Sequence, residues 1–79
     1  MPEVRCKLGR VGVETNGRTQ LELVAADGSF PSNWFLSKAE LNREILATAL
    51  AAKASGKLVT CVIDNPIQAW SEVSMLLVD

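Results

Sequence analysis

The aromatic residues are few, and they form the clearest candidate for binding chemistry. The chain has two phenylalanines, two tryptophans and no tyrosine, and residues 30–35 alternate between apolar and polar side chains. Aromatic rings beside amide and hydroxyl groups can stack on a sugar or a base and hydrogen-bond its edge. The candidate ligand-binding residues are therefore Phe30, Asn33, Trp34 and Trp70. The alternative is that Phe35 and one tryptophan fill the core while the other lies in a subunit contact.

No group of residues predicts catalysis. The chain has no histidine, which removes the commonest general base and metal ligand. Its serines and cysteines therefore have no histidine to activate them as nucleophiles. Glu40 and Glu44 lie one helical turn apart, and the glycines fit turns and caps without forming a phosphate-binding loop. We expect no catalytic residues, no metal, no cofactor and no enzyme activity.

Size and charge limit the functional classes further. The 79 residues predict a single domain, residues 1–79, with a net charge of −1. That charge does not favour nucleic acid or an anionic membrane as a partner, although the first twenty residues are locally basic. No apolar run approaches the roughly 20 residues of a membrane span. No leader is evident, so the sequence predicts a cytoplasmic protein, or a secreted one if a leader has been removed.

One long helix is predicted, over residues 37–56. Ser37 and Glu40 match the capping-box spacing at its start, and Gly56 fits a left-handed residue at its end. At 100° per residue, one apolar stripe contains Leu41, Ile45, Ala49 and Ala52. A second stripe, on nearly the opposite side, contains Ala39, Leu46, Ala47, Leu50 and Ala54. Either the second stripe meets a neighbouring subunit, or its alanines are present only for helix propensity.

The remaining segments predict five strands. Residues 3–8 alternate in polarity, and the alternation slips by one residue at Gly9-Arg10, which predicts a bulge with Val11 and Val13 inward. Asn16-Gly17 predicts a hairpin turn. Further strands are predicted in segments 21–25, 33–36, 57–64 and 67–78. The order β-β-β-α-β-β predicts a mainly β, five-stranded OB-type barrel with one helix.

The two cysteines are predicted on strands that an OB-type barrel sets side by side. Cys6 and Cys61 can form a disulfide, as in small secreted domains. They can also remain buried free thiols that act as small hydrophobic residues. A metal or redox pair is the third interpretation, and it lacks a CxxC spacing or further ligands.

The element order resembles that of the cell-binding B subunits of bacterial AB-type toxins, the pertussis, subtilase and cholera group. The segments EILATALAAKASGKLVTCVID and AWSEVSMLLV carry the resemblance. It implies a ring of five OB barrels whose helices line a pore and whose edge strands pair between neighbours. The expected interface residues are the second helix stripe, with Leu76 and Val78 on the last strand. No sugar-binding loop can be transferred residue by residue.

Together these features predict a non-enzymatic, homopentameric binding subunit that recognises a carbohydrate or a cell-surface receptor. A cytosolic oligomeric scaffold or small-ligand binder is one alternative. A single-stranded nucleic-acid-binding OB protein is another, and the sparse basic charge disfavours it.

Overall fold

The protein folds as a closed five-stranded β-barrel, as the sequence predicts. The computed structural model describes residues 3–79. Its elements, in chain order, are β1 (Val4–Val13), β2 (Thr19–Ala25), β3 (Asn33–Ser37), a 3₁₀ turn (Ala39–Leu41), α1 (Asn42–Ser55), β4 (Val59–Ile63) and β5 (Glu72–Val78). The strands close in the order β1-β2-β3-β5-β4, and only the β3–β5 pair is parallel. This is the predicted OB-type topology, with the helix between the third and fourth strands.

The bulge in β1 lies where the change of alternation predicts it. The β1–β2 register shifts between Leu8 and Val11. The first half of β1 pairs with both β2 and β4, which lets one bent strand belong to two sides of the barrel. Val11 packs against the core. Val13 does not: its side chain is 58% exposed, because β1 extends beyond the three residues that β4 pairs.

The barrel interior is filled from alternating strand positions and closed by one face of α1. β2 alternates strictly between buried and half-buried residues, so Leu21 and Leu23 point inward. Ile45, Ala49 and Ala52 are the buried residues of α1. The predicted inner stripe of the helix is therefore confirmed, and Leu41 packs at its edge.

The predicted start of the helix is wrong. Ser37 is the last residue of β3 and is fully buried, so it does not cap a helix. Its register with Val73 of β5 commits its backbone to the sheet. Glu40 lies exposed in the 3₁₀ turn, and α1 begins at Asn42 without a side-chain cap. The predicted end is confirmed, because Gly56 is left-handed with φ of 68° and its N–H bonds to the last turn.

Asn42 fastens the start of α1 to the barrel in place of a cap. Its Oδ1 accepts hydrogen bonds from the backbone N–H of Thr19 at 2.7 Å and from Ser37 Oγ at 2.6 Å. Its Nδ2 donates to the carbonyl of Gly17 at 2.8 Å. One amide therefore joins the β1–β2 hairpin, the end of β3 and the helix.

Candidate functional site

The β1 bulge builds the first part of an outward-facing polar and aromatic cluster. The carboxylate of Glu22 lies over Gly9, where a Cβ would be only 2.6 Å from Glu22 Oε1. That oxygen accepts a hydrogen bond from the backbone N–H of Arg10 at 3.1 Å and lies 3.5 Å from Arg10 Nε. The lack of a side chain at Gly9 thus lets β2 hold the arginine at the bulge.

Arg10 in turn lies over an aromatic ring. Its guanidinium carbon is 5.2 Å from the ring centroid of Trp34, within the range of a cation–π contact. Trp34 faces outward on β3, in register with Glu22 of β2. The indole of Trp70 stacks beside that of Trp34, with centroids 6.5 Å apart and planes inclined by 15°. Trp70 is half exposed, so the stacked pair presents aromatic surface to solvent.

The β4–β5 loop holds Trp70 in a strained backbone conformation. Trp70 has φ of 70°, the left-handed region that a bulky residue rarely adopts. Its N–H donates to the carbonyl of Trp34 at 2.7 Å, which fixes the loop against β3. Ser71 closes the loop from inside: its Oγ donates to the carbonyl of Pro66 at 2.6 Å and accepts from the N–H of Gln68 at 3.2 Å. Such a conformation costs about 1–3 kcal/mol, and the hydrogen bonds of the loop hold the Trp70 indole beside Trp34 against that cost.

A shallow recess of about 250 Å³ adjoins this cluster on the outer face of β1 and β2. Its polar lining comes from Lys7, Glu22 and Ser32, and its apolar lining from Leu8 and Val24. We call this recess together with Arg10, Trp34 and Trp70 the aromatic face. It combines stacking surface with one carboxylate, one ammonium, one guanidinium and one hydroxyl.

The predicted ligand-binding residues do not all meet at the aromatic face. Trp34 and Trp70 do. Phe30 does not, because it is buried and packs edge-on against Phe35, with ring centroids 5.6 Å apart. Asn33 precedes Trp34 on β3, and because neighbours on a strand point to opposite faces it does not share the face of Trp34.

Arg10 and Glu22 were missing from the predicted site. The signal available for them was the bulge, since bulges often re-aim side chains near functional sites.

The arginines near this face are all paired with carboxylates. Arg5 Nε lies 2.8 Å from Asp79, Arg10 Nε lies 3.5 Å from Glu22, and Arg18 Nη2 lies 3.0 Å from Glu72. These arginines therefore add little uncompensated positive charge to the barrel surface around Trp34.

The predicted interface residues divide into an outer and an inner group. Ala39, Ala47, Leu50 and Ala54 are exposed and Leu46 is half-buried, so the second helix stripe lies on the outside of the single chain. Val78 is also exposed. The side chain of Leu76 lies in the core, so it forms no part of the exposed surface of the single chain. Alternation along β5 instead turns Leu77 outward, 52% exposed, a residue that the prediction did not include.

Cys6 and Cys61 are buried free thiols in this structure. They lie on paired strands, but Cys6 is in register with Val59 and Cys61 with Val4, which sets the cysteines diagonally across the ladder. The neighbouring Cys6 thiol and burial both raise the pKa of the Cys61 thiol. A neutral Cys61 fits the interpretation of two small hydrophobic core residues.

Comparison with known proteins gives no relative from which to transfer a function. No protein-family model matches the chain, and neither the curated proteins nor the solved structures give a significant match. Within residues 3–79, no helix is long and apolar enough to cross a membrane.

Proposed function

We propose that this protein is a non-enzymatic, oligomeric subunit that binds a carbohydrate at the aromatic face. The observation that carries the proposal is Trp70, held at a positive φ so that its exposed ring stacks beside Trp34. Strain of this kind persists where surrounding structure enforces it, and it concentrates at ligand sites. Packing of the barrel core does not require a large, half-exposed ring at a residue with a strained backbone.

The composition of the face suits a sugar. The C–H face of a pyranose ring is apolar and flat, and it stacks on an exposed indole while its hydroxyls reach polar groups at the edge. Glu22 accepts hydrogen bonds, Lys7 donates them, and the Ser32 hydroxyl does both. These three groups line the recess beside the tryptophans.

Charge favours a sugar over single-stranded nucleic acid. Nucleic-acid-binding OB proteins use a positively charged groove that follows the phosphate backbone. Here Arg5, Arg10 and Arg18 each have a carboxylate partner. The lysines beside this face, Lys7, Lys53 and Lys57, surround one recess and do not form an extended track. A strand of phosphates would have to displace those carboxylates, whereas an uncharged sugar would not.

Assembly is the second part of the proposal. The outer stripe of α1 carries Leu50, half exposed, among alanines that allow close approach of another backbone, and Leu77 and Val78 are exposed on β5. A closed ring would bury such surfaces. The resemblance of the element order to the toxin B subunits favours a homopentamer. Several copies of one weak sugar site would then act together through multivalency.

The intrinsic fluorescence of the protein reports on the aromatic face, because Trp34 and Trp70 are its only tryptophans and it has no tyrosine. We expect a glycan-array screen to give hits, and the hit glycans to change the intrinsic fluorescence of the protein on titration. Trp70→Gly should remain folded, since glycine relieves the positive φ, and should lose at least tenfold in affinity.

Val13→Ala is the control, because it removes a similarly exposed apolar side chain outside both the aromatic face and the proposed subunit interface, and it should leave affinity unchanged. Binding of oligothymidylate with steep salt dependence, with no glycan hit, would instead support the nucleic-acid alternative. No ligand in either screen, for a folded protein, would favour the scaffold alternative.

A further inference from the structure

A second recess, of about 270 Å³, lies where β1 passes the end of α1, and its charged lining is entirely cationic. Lys7, Lys53 and Lys57 surround it, with Leu8 and Leu58 among the apolar residues beneath. Among residues 3–79, no carboxylate contributes to the lining. We call this recess the lysine pocket.

Within residues 3–79 none of the lysines has an ionic partner, whereas three of the four arginines have one. Every ion pair within residues 3–79 uses an arginine, as described for Arg5, Arg10 and Arg18. In a chain of net charge −1, three uncompensated ammonium groups around one recess are a local concentration of positive charge. Lys53 is also fixed in position, because its Nζ donates to the carbonyl of Gly9 at 2.9 Å.

The end of α1 does not cancel this charge. A helix C-terminus carries partial negative charge on its unpaired carbonyls. Here the N–H of Gly56 bonds to the carbonyl of Lys53 and that of Lys57 bonds to the carbonyl of Ala52, so the last turn is capped. The three ammonium groups exceed the remaining partial charge of roughly half an electron.

The lysine pocket adjoins the aromatic face. Lys7 and Leu8 line both recesses, so the two are separated only by the width of β1. Lys7 is in register with Val24 on β2, and Glu22, two residues before Val24, is in register with Trp34 on β3. Lys7 and Trp34 are therefore two strand spacings apart across the sheet and two residues apart along it. Their backbone positions are roughly 12 Å apart. That distance suits a short oligosaccharide rather than a single sugar ring.

We propose that the lysine pocket binds a single anionic group, a sulfate, carboxylate or phosphate, carried by the ligand of the aromatic face. The ligand class is then an acidic oligosaccharide, and this step rests on the proposed carbohydrate function. One compact cluster suits one anionic substituent. A polyanion needs a track of cations, and the neighbouring arginines are already paired.

The first test uses inorganic phosphate alone, which does not depend on the tryptophans. Titration into ¹⁵N-labelled protein at constant ionic strength should give saturable amide shifts at residues 7–8 and 53–58. Lys57→Gln should weaken this binding about fivefold, the effect of about 1 kcal/mol for one charge near 4 Å in water. Lys7→Gln should act similarly.

Lys38→Gln is the matched control, since it removes an equal charge outside the pocket and should leave the phosphate affinity unchanged. Shifts that do not saturate, or equal losses in all three variants, would mean diffuse electrostatics and would overturn the lysine pocket as a site.

The second test separates the two proposals on glycans. Wild-type protein should prefer sulfated or sialylated glycans over their neutral parents, and Lys57→Gln should lose the preference while keeping the neutral affinity. Equal wild-type affinity for acidic and neutral glycans would overturn this inference and leave the proposed function intact. Phosphate binding without any glycan binding would overturn the carbohydrate function and the acidic oligosaccharide with it.

Discussion

Gly9 is the residue on which the geometry of the aromatic face depends most directly. Its missing side chain makes room for the Glu22 carboxylate, and that carboxylate orients Arg10 over Trp34. The chain of contacts therefore begins at a position with no functional group at all. Reactive side chains in the sequence do not indicate such a position, because the role of Gly9 is to leave space for the Glu22 carboxylate.

Gly9→Ala should perturb the tryptophans more than it perturbs stability. The new Cβ would clash with a flexible carboxylate tip, which can swing away, so we expect a loss of about 1 kcal/mol for the broken hydrogen bond to Arg10. The near-ultraviolet circular dichroism of the indole pair should change. Gly12→Ala, on the same strand with open space around its Cβ, is the control and should leave the spectrum unchanged. Identical spectra for both variants would contradict the role of Gly9.

Cys61 gives a second prediction at the residue scale. Because the neighbouring Cys6 thiol and burial both raise its pKa, the Cys61 thiol should stay protonated at pH 8 and react with iodoacetamide only after unfolding. The measurement is the alkylated mass with and without denaturant, the unfolded chain serving as the positive control. Rapid alkylation of the native protein, or a mass that shows a disulfide, would contradict this.

At the scale of elements, periodicity predicted more than local motifs did. The inner stripe of α1 follows from 3.6-residue spacing, and the bulge follows from a one-residue change of alternation in β1. Both are local patterns that packing then confirms. Ser37 and Glu40 have the spacing of a capping box, but Ser37 pairs with β5, which lies far along the chain, and is therefore part of a strand.

The aromatic face was only partly predictable for the same reason. Composition indicated Trp34 and Trp70 but gave no means of separating them from Phe30, which the barrel buries. The contact of Arg10 with Trp34 depends on the registers of β1, β2 and β3 together. Such a contact follows from strand pairing, which one sequence does not specify.

Two variants at the start of α1 distinguish the hydrogen bonds of Asn42 from the predicted capping box. Asn42→Ala removes three hydrogen bonds and leaves the buried N–H of Thr19 without its partner, so we expect a loss of about 2–4 kcal/mol in the free energy of unfolding. Urea denaturation measures it. Glu40→Ala, which would break a capping box, should change stability by less than about 0.5 kcal/mol. A larger effect at Glu40 than at Asn42 would favour the capping box.

At the scale of the whole molecule, the barrel closes most of its own sheet but leaves apolar side chains outside. Leu50 on α1 and Leu77 on β5 are both about half exposed. Scattered exposed leucines are ordinary, but Leu50 lies within an exposed stripe that contains Ala47 and Ala54. Helix propensity favours leucine and alanine, but it favours lysine, arginine and glutamate almost as strongly, so it does not explain why this exposed stripe is apolar. Burial against a second copy would explain it.

Leu50→Glu tests that assembly without disturbing the barrel. The side chain is 51% exposed and makes no part of the core, so the variant should fold as the wild type does. If the stripe is an interface, a buried carboxylate with no partner there should dissociate the oligomer, and light scattering at micromolar concentration should fall toward the 8.5 kDa chain mass. Ala51→Glu adds the same charge one residue along, outside the stripe, and should leave the oligomer intact. A wild-type mass of one chain would contradict the assembly, whereas unfolding of Leu50→Glu would mean that this stripe, rather than its opposite, supports the core.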